Sequence, residues 1–185
     1  MKEEVLKELK DKMGKTIEGL KKDYSKLRTG RATPALLEGI KVECYGTMMP
    51  LEQVVSISVP EPRLITLQPW DGSIAPQIEK AILKSELGLN PNFDGKVIRI
   101  AIPPLTEERR KELVKVAKKM AEECKVVIRN HRRDANEAVK KLKNEKAISE
   151  DDMRKTQDQI QKITDEHVKK IDQIFSEKEK EIMSF

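Results

Sequence analysis

Residues 103–146 read PPLTEERRKELVKVAKKMAEECKVVIRNHRRDANEAVKKLKNEK. Two prolines open the stretch and neither proline nor glycine follows, so nothing in it interrupts a helix. Leu113, Val116, Ala117, Met120, Cys124, Val127, Ile128, His131, Ala135, Ala138 and Leu142 recur at three- and four-residue spacing, the mark of one buried stripe. Thr106 stands where an N-cap belongs, and Glu107 and Glu108 suit the positive end of the helix dipole. A helix over about 106–146 follows, roughly 60 Å long at 1.5 Å per residue. One that long with a single apolar stripe must pack on partners.

The partners lie at both ends of the chain. Leu6, Leu9, Met13, Ile17, Leu20, Tyr24 and Leu27 form a stripe over residues 2–28, with Gly30 as the stop. Met153, Ile160, Ile163, Val168, Ile171, Ile174 and Ile182 form another over 150–184, opened by a Ser149–Asp152 capping pattern. The connection around 146–149 is short, so the last two helices are expected to run antiparallel. Three amphipathic stripes close a three-helix bundle, here discontinuous: 1–30 with 105–185.

All nine prolines fall between Pro34 and Pro104, and the last glycine is Gly95. Residues 31–104 therefore read as an inserted α+β module. Alternation at Ile40, Val42 and Cys44, and the runs 54–59, 64–67 and 97–102, indicate about four strands. Ile74, Ile78, Ile82 and Leu83 indicate one helix over 73–87. Two crossings, Thr29-Gly30-Arg31 and Pro103-Pro104-Leu105, join the insert to the bundle and suit a hinge: glycine gives freedom and the proline pair a stiff lever.

The chain has 185 residues, 37% charged and 3% aromatic, with a formal net charge of +5. No stretch is apolar enough to cross a bilayer, and the charged start, Met-Lys-Glu-Glu, cannot act as a secretory signal. Cys44 and Cys124 have neither metal nor redox spacing and read as reduced thiols, so a cytoplasmic protein is expected.

The positive charge is concentrated. Residues 105–147 hold fourteen basic and eight acidic groups. On the long helix, positions 111, 115, 118, 122, 125, 129, 132, 136, 140 and 143 share one line, and eight of the ten are basic: Lys111, Lys115, Lys118, Lys125, Arg129, Arg132, Lys140 and Lys143. A cationic ridge about 45 Å long is expected to face solvent. A helix selected only for solubility mixes signs to gain i,i+4 pairs. One sign on one face costs self-repulsion, which a polyanion relieves by releasing counterions. Arg129, Arg132 and Arg133 stand together, and guanidinium forks match phosphate oxygens. With few rings to stack on bases, structured RNA read through backbone and shape is the expected ligand.

No catalytic constellation emerges. Gly14-Lys15-Thr16 lacks the earlier glycine of a phosphate loop, since position 9 is Leu9, and it lies mid-helix. His131 and His167 fall on apolar stripes. The cysteines have no activating base, and the carboxylates show no paired spacing. A coiled-coil scaffold or chaperone that uses its stripes to oligomerise, with the charge as a solubility device, is the alternative reading.

Several motifs carry a family resemblance: Leu27-Arg28-Thr29-Gly30-Arg31-Ala32, Tyr45-Gly46 with Pro50-Leu51, Leu87-Gly88-Leu89-Asn90-Pro91, and Ile102-Pro103-Pro104-Leu105-Thr106-Glu107-Glu108-Arg109-Arg110. Arg129-Asn130-His131-Arg132-Arg133-Asp134-Ala135, Ile148-Ser149-Glu150-Asp151-Asp152 and Gln161-Lys162-Ile163-Thr164-Asp165 continue it. In order and spacing, over essentially its whole length, the chain closely resembles the bacterial ribosome recycling factors. The resemblance implies an L-shaped, two-domain α+β protein: a long three-helix bundle with a small β/α/β insert on a two-tether hinge. It implies a non-enzymatic factor of protein biosynthesis, a cytoplasmic monomer with no membrane partner. With elongation factor G it would split the 70S post-termination complex into subunits, releasing mRNA and deacylated tRNA. No cofactor is implied, because GTP is used by the partner. The bundle would lie on 50S rRNA. Arg132 and Arg129 would be the central contacts, supported by Arg133, Arg28, Arg31, Arg109 and Arg110, with Lys111, Lys118 and Lys125 from the ridge. His131 departs from the small apolar residue expected there; facing the seam, it should be neutral and buried.

Overall fold

A computed structural model describes residues 1–184; Phe185, the last residue of the expected bundle, lies outside them. The elements run α1 (Lys2–Ser25), β1 (Lys41–Cys44), β2 (Thr47–Pro50), α2 (Leu51–Val54), β3 (Val55–Glu61), β4 (Leu64–Pro69), α3 (Ala75–Lys84), β5 (Pro91–Phe93), β6 (Ile98–Ala101), α4 (Glu107–Asn144) and α5 (Glu150–Ser184). This is an α+β chain of long helices and a small sheet unit. It divides into two compact units: Met1–Leu27 with Glu108–Ser184, and Arg28–Glu107.

In the helical unit the pairings give the directions. Arg132 meets Gln161, Lys125 meets Asp172 and Arg110 meets Met183, so α4 and α5 are antiparallel. Tyr24 meets Ala117 while Thr16 meets His131, so α1 and α4 are antiparallel too. Lys2 and Asp152 join the starts of α1 and α5. The core holds Met13, Ile17, Leu20, Ile128, Val139, Ile160 and Ile171. The buried line of α4 is Leu113, Ala117, Ala121, Cys124, Ile128, Ala135 and Val139. Val116 and Val127, placed on the stripe from spacing, are about 40% exposed, while Ala121 and Val139 lie inside. A 3.6-residue repeat drifts along a helix this long, so a stripe drawn from spacing alone is too wide.

Both helix termini at the α4–α5 turn are closed. Lys146 adopts φ +58°, its N–H donates to the Lys143 carbonyl and that of Ala147 to the Leu142 carbonyl. That is a Schellman motif with lysine in the position that favours glycine. Ser149 then forms its capping box: Asp152 N–H donates to Ser149 Oγ, whose hydroxyl donates back to the Asp152 carboxylate, each at 3.0 Å.

The insert unit has its own core, in which Val42, Ile65, Leu67, Ile78, Ile82, Ile98 and Ile100 are fully enclosed. Its antiparallel sheet has the order β3-β4-β6-β5, and β1 pairs with β2 in a separate hairpin. That is six strands, not four. The two unforeseen ones, β2 and β5, carry Pro50 and Pro91 and are only four and three residues long, too short for alternation to announce them. Proline is tolerated at strand ends and sheet edges, where no ladder donor is lost. Tyr45 and Gly46, at φ +52° and +80°, make the two-residue turn of the hairpin. Leu83, placed on the buried face of α3, is exposed.

A candidate nucleic-acid interface

The basic line of α4 does not face solvent uniformly. Lys111, Lys115, Lys118, Arg129 and Lys140 are exposed, and so is Arg133 beside the line. Lys125, Arg132, Asn136 and Lys143 are partly covered. The Lys125 side chain is only 15% exposed, because its ammonium lies 2.5 Å from Asp172 on α5 and 3.2 Å from Glu122. Those carboxylates hold it above the usual lysine range, Asp172 foremost, against the opposing effect of burial. Arg132 donates from Nη1 to Gln161 Oε1 at 3.3 Å. Gln161 in turn donates from Nε2 to Asp165 at 2.8 Å. The ridge thus has two flanks. The inner one leans on α5, where Asp151, Asp158, Asp165, Asp172 and Glu179 recur every seven residues. On the outer one Lys118, Arg129 and Arg133 have no ion pair among the described residues.

The remaining arginines divide between the units. Arg109, near the start of α4, pairs with Glu112 at 3.0 Å. Arg110 is half-buried, donates to the Met183 carbonyl at 3.2 Å and leaves its Nε without a protein partner. Arg28 and Arg31 belong to the insert unit. Arg28 donates to the carbonyls of Leu87 and Glu86 at 3.0 and 3.3 Å, just beyond the C-terminus of α3, where the helix dipole favours a cation. Among the tether residues, Thr29 is buried and Gly30, at φ +78°, lies against the side chain of Leu105. Periodicity alone could not separate the inner from the outer flank. The heptad acids of α5 were a legible signal, but their pairing with α4 needed the antiparallel register.

Residues with catalytic chemistry are absorbed by packing. Thr16 donates to the Lys12 carbonyl, and its hydroxyl lies 3.2 Å from His131 Nε2. His131 faces α1 as expected, but it is half-buried rather than enclosed. His167 is buried with Nδ1 2.7 Å from the Ile163 carbonyl. Both cysteines are buried, and burial pushes the Cys124 thiol up, away from thiolate. Among the described residues no cluster of His, Cys, Asp or Glu could hold a metal, and no helix is long and apolar enough to cross a membrane.

A long helical unit carrying a row of cations and a small sheet unit with its own core together define a two-unit α+β protein. The ribosome recycling factor family model matches residues 20–183. The ribosome-recycling factor of Solidesulfovibrio magneticus is 61% identical, over 97% of each chain. That of Carboxydothermus hydrogenoformans is 57% identical over 98% of each. A solution structure of the ribosome recycling factor superposes with a TM-score of 0.77 at 46% identity, covering 100% of this chain and 98% of that one. A second structure describes the T. thermophilus ribosome recycling factor and E. coli elongation factor G bound to the E. coli post-termination complex. Its recycling-factor chain is 47% identical, with a TM-score of 0.66 and 98% of each chain covered. The chain belongs to the ribosome recycling factor family, whose members are translation factors and not enzymes.

Proposed function

We propose that this protein disassembles the post-termination ribosome into subunits, together with elongation factor G and GTP, so that mRNA and deacylated tRNA leave. It works in the cytoplasm as a monomer, and the nucleotide chemistry belongs to the partner. Family membership favours this over the scaffold reading. The observation that carries the mechanism is the outer flank of α4, where the exposed cations Lys111, Lys115, Lys118, Arg129, Arg133 and Lys140 outnumber the line's single acid, Glu122. It is a rigid row of cations at a spacing that can follow a phosphate backbone, with no aromatic platform to read bases. Arg132 and Arg129 make the central contacts with 50S rRNA. Arg133, Arg109, Arg110, Lys111 and Lys118 extend them along the helix, and Arg28 and Arg31 add to them from the insert unit. Lys125, already neutralised by Asp172 and Glu122, contributes least.

The insert acts as a lever. Thr29, Gly30 and Arg31 on one crossing and Pro103, Pro104 and Leu105 on the other form its hinge. The contact of Gly30 with Leu105 supports the idea that the two crossings move together. When the translocase pushes the insert, the bundle is driven against intersubunit RNA and the subunits separate.

The test is co-sedimentation with purified 50S subunits across a salt series. Affinity should fall linearly on a log–log plot, and Arg132→Ala should weaken binding and lower the slope by about one. Salt-independent binding, or full affinity in a folded Arg132→Ala protein, would overturn the RNA assignment.

A further inference from the structure

We infer that Asp165 and Gln161 of α5 are positioning residues for Arg132, aiming its guanidinium at the RNA backbone without neutralising it. The inference rests on the reading of Arg132 as an RNA contact. Three groups form a directed chain: Arg132 Nη1 donates to Gln161 Oε1 at 3.3 Å, and Gln161 Nε2 donates to Asp165 Oδ1 at 2.8 Å. A glutamine amide has two unlike ends, an accepting oxygen and a donating NH2. Turned the wrong way, it would set donor against donor at the guanidinium. Asp165, one turn further along α5, is as a carboxylate an acceptor and never a donor, so it takes the NH2 end and leaves the oxygen facing Arg132.

The neighbouring contact shows why an intervening amide matters. Seven residues further along the same acidic line, Asp172 reaches α4 directly and binds the Lys125 ammonium, and that side chain is largely withdrawn from solvent. A carboxylate placed directly on Arg132 would neutralise it in the same way. An amide fixes direction through one N–H and leaves the full charge and the other donors of the guanidinium for phosphate. The heptad spacing of Asp165 and Asp172 puts both acids on the α4 side of α5, and Gln161 converts one of them from a neutralising partner into an aiming one.

The experiment compares two variants that remove the same charge. Asp165→Ala deletes the acceptor, whereas Asp165→Asn keeps an acceptor oxygen of the same reach. Removing a negative charge beside a basic ridge should, by Coulomb's law alone, tighten binding to 50S subunits in both. Positioning demands the opposite for alanine. Asp165→Ala should bind about threefold to tenfold more weakly, the scale of one charge-assisted hydrogen bond near the surface, while Asp165→Asn matches or exceeds the parent. Gln161→Ala should weaken binding by a similar factor with an unchanged salt slope, since no charge is altered. Circular dichroism checks that each variant is folded. In an Arg132→Ala background, Asp165→Ala should lose nothing further. If Asp165→Ala binds as tightly as Asp165→Asn while Arg132→Ala is impaired, positioning is overturned and the RNA contact stands. If Arg132→Ala keeps full affinity, both fall.

Discussion

Asp94 shows how much one side chain organises at the residue scale. Its carboxylate accepts from the backbone N–H groups of Val97 and Lys96 at 3.0 Å each and pairs with Arg99. It thereby pins the β5–β6 turn. These bonds, the two backbone donors first, hold its pKa down to about 2 against an ordinary 3.8. A depressed carboxylate stabilises the fold fully above its unfolded pKa, and that stabilisation is lost as pH falls through the folded value. The insert unit should therefore lose stability between about pH 4 and pH 2, and Asp94→Asn should flatten that loss while lowering stability at neutral pH. Urea midpoints of the strand amides at pH 5 and pH 2.5 give the measurement. An unchanged pH dependence in the variant would remove Asp94 from the account. The same scale governs Tyr24. Its hydroxyl donates to the Ala117 carbonyl at 2.6 Å inside the helical unit, and burial pushes its pKa up to about 12. It is a structural strut between α1 and α4, with no proton to offer at neutral pH.

At the scale of the element, the α4–α5 turn carries a strain that the sequence alone conceals. Lysine at φ +58° holds a conformation that costs an L-residue roughly 1 kcal/mol and a glycine almost nothing. Lys146→Gly should stabilise the helical unit by about 0.5–1 kcal/mol, since the Schellman hydrogen bonds are unchanged and the side chain is exposed. Thermal and urea unfolding of the two proteins decide it; a destabilised variant would mean that Lys146 makes a compensating contact. The antiparallel register set by this turn also brings Asp172 to Lys125 and Gln161 to Arg132. A one-residue change of turn length would shift the acidic line of α5 around its helix and undo both. The ridge is thus a property of two helices, although its cations all come from one.

For the whole molecule, the decisive fact is that each unit encloses a core of its own. Ile65 and Leu67 are fully buried in the insert, and Ile160 and Ile171 in the helical unit. Truncating a buried isoleucine costs about 2–5 kcal/mol, comparable to the stability of a small unit. Ile65→Ala should therefore loosen or unfold the insert while most helical signal persists. Amide NMR signals of the strands should collapse at a urea concentration where far-UV ellipticity is largely retained. A single coincident transition would show that the two units unfold as one. The discontinuous helical unit must still bridge an insert of 80 residues. Once the insert unfolds, holding its ends together costs about 4 kcal/mol of chain entropy, so the second transition should follow closely.

The three long helices, the Ser149 cap and the strand-bearing stretch between the first two were legible because each follows from local chemistry, whereas α1 ends at Ser25, short of the Gly30 stop. All nine prolines fall between Pro34 and Pro104 and no glycine follows Gly95, apolar residues recur at helical spacing, and Ser149–Asp152 is a capping pair in any context. The short strands Thr47–Pro50 and Pro91–Phe93 were not legible. Each is only three or four residues long and is held by a neighbour across a ladder. The basic residues of α4 were countable from the sequence, but not their fates. Charge and period belong to one helix and are written in its residues. Whether Lys125 is neutralised, Arg132 aimed or Arg129 left open depends on which side chain of α5 stands opposite, and only the packed register of two distant segments decides that.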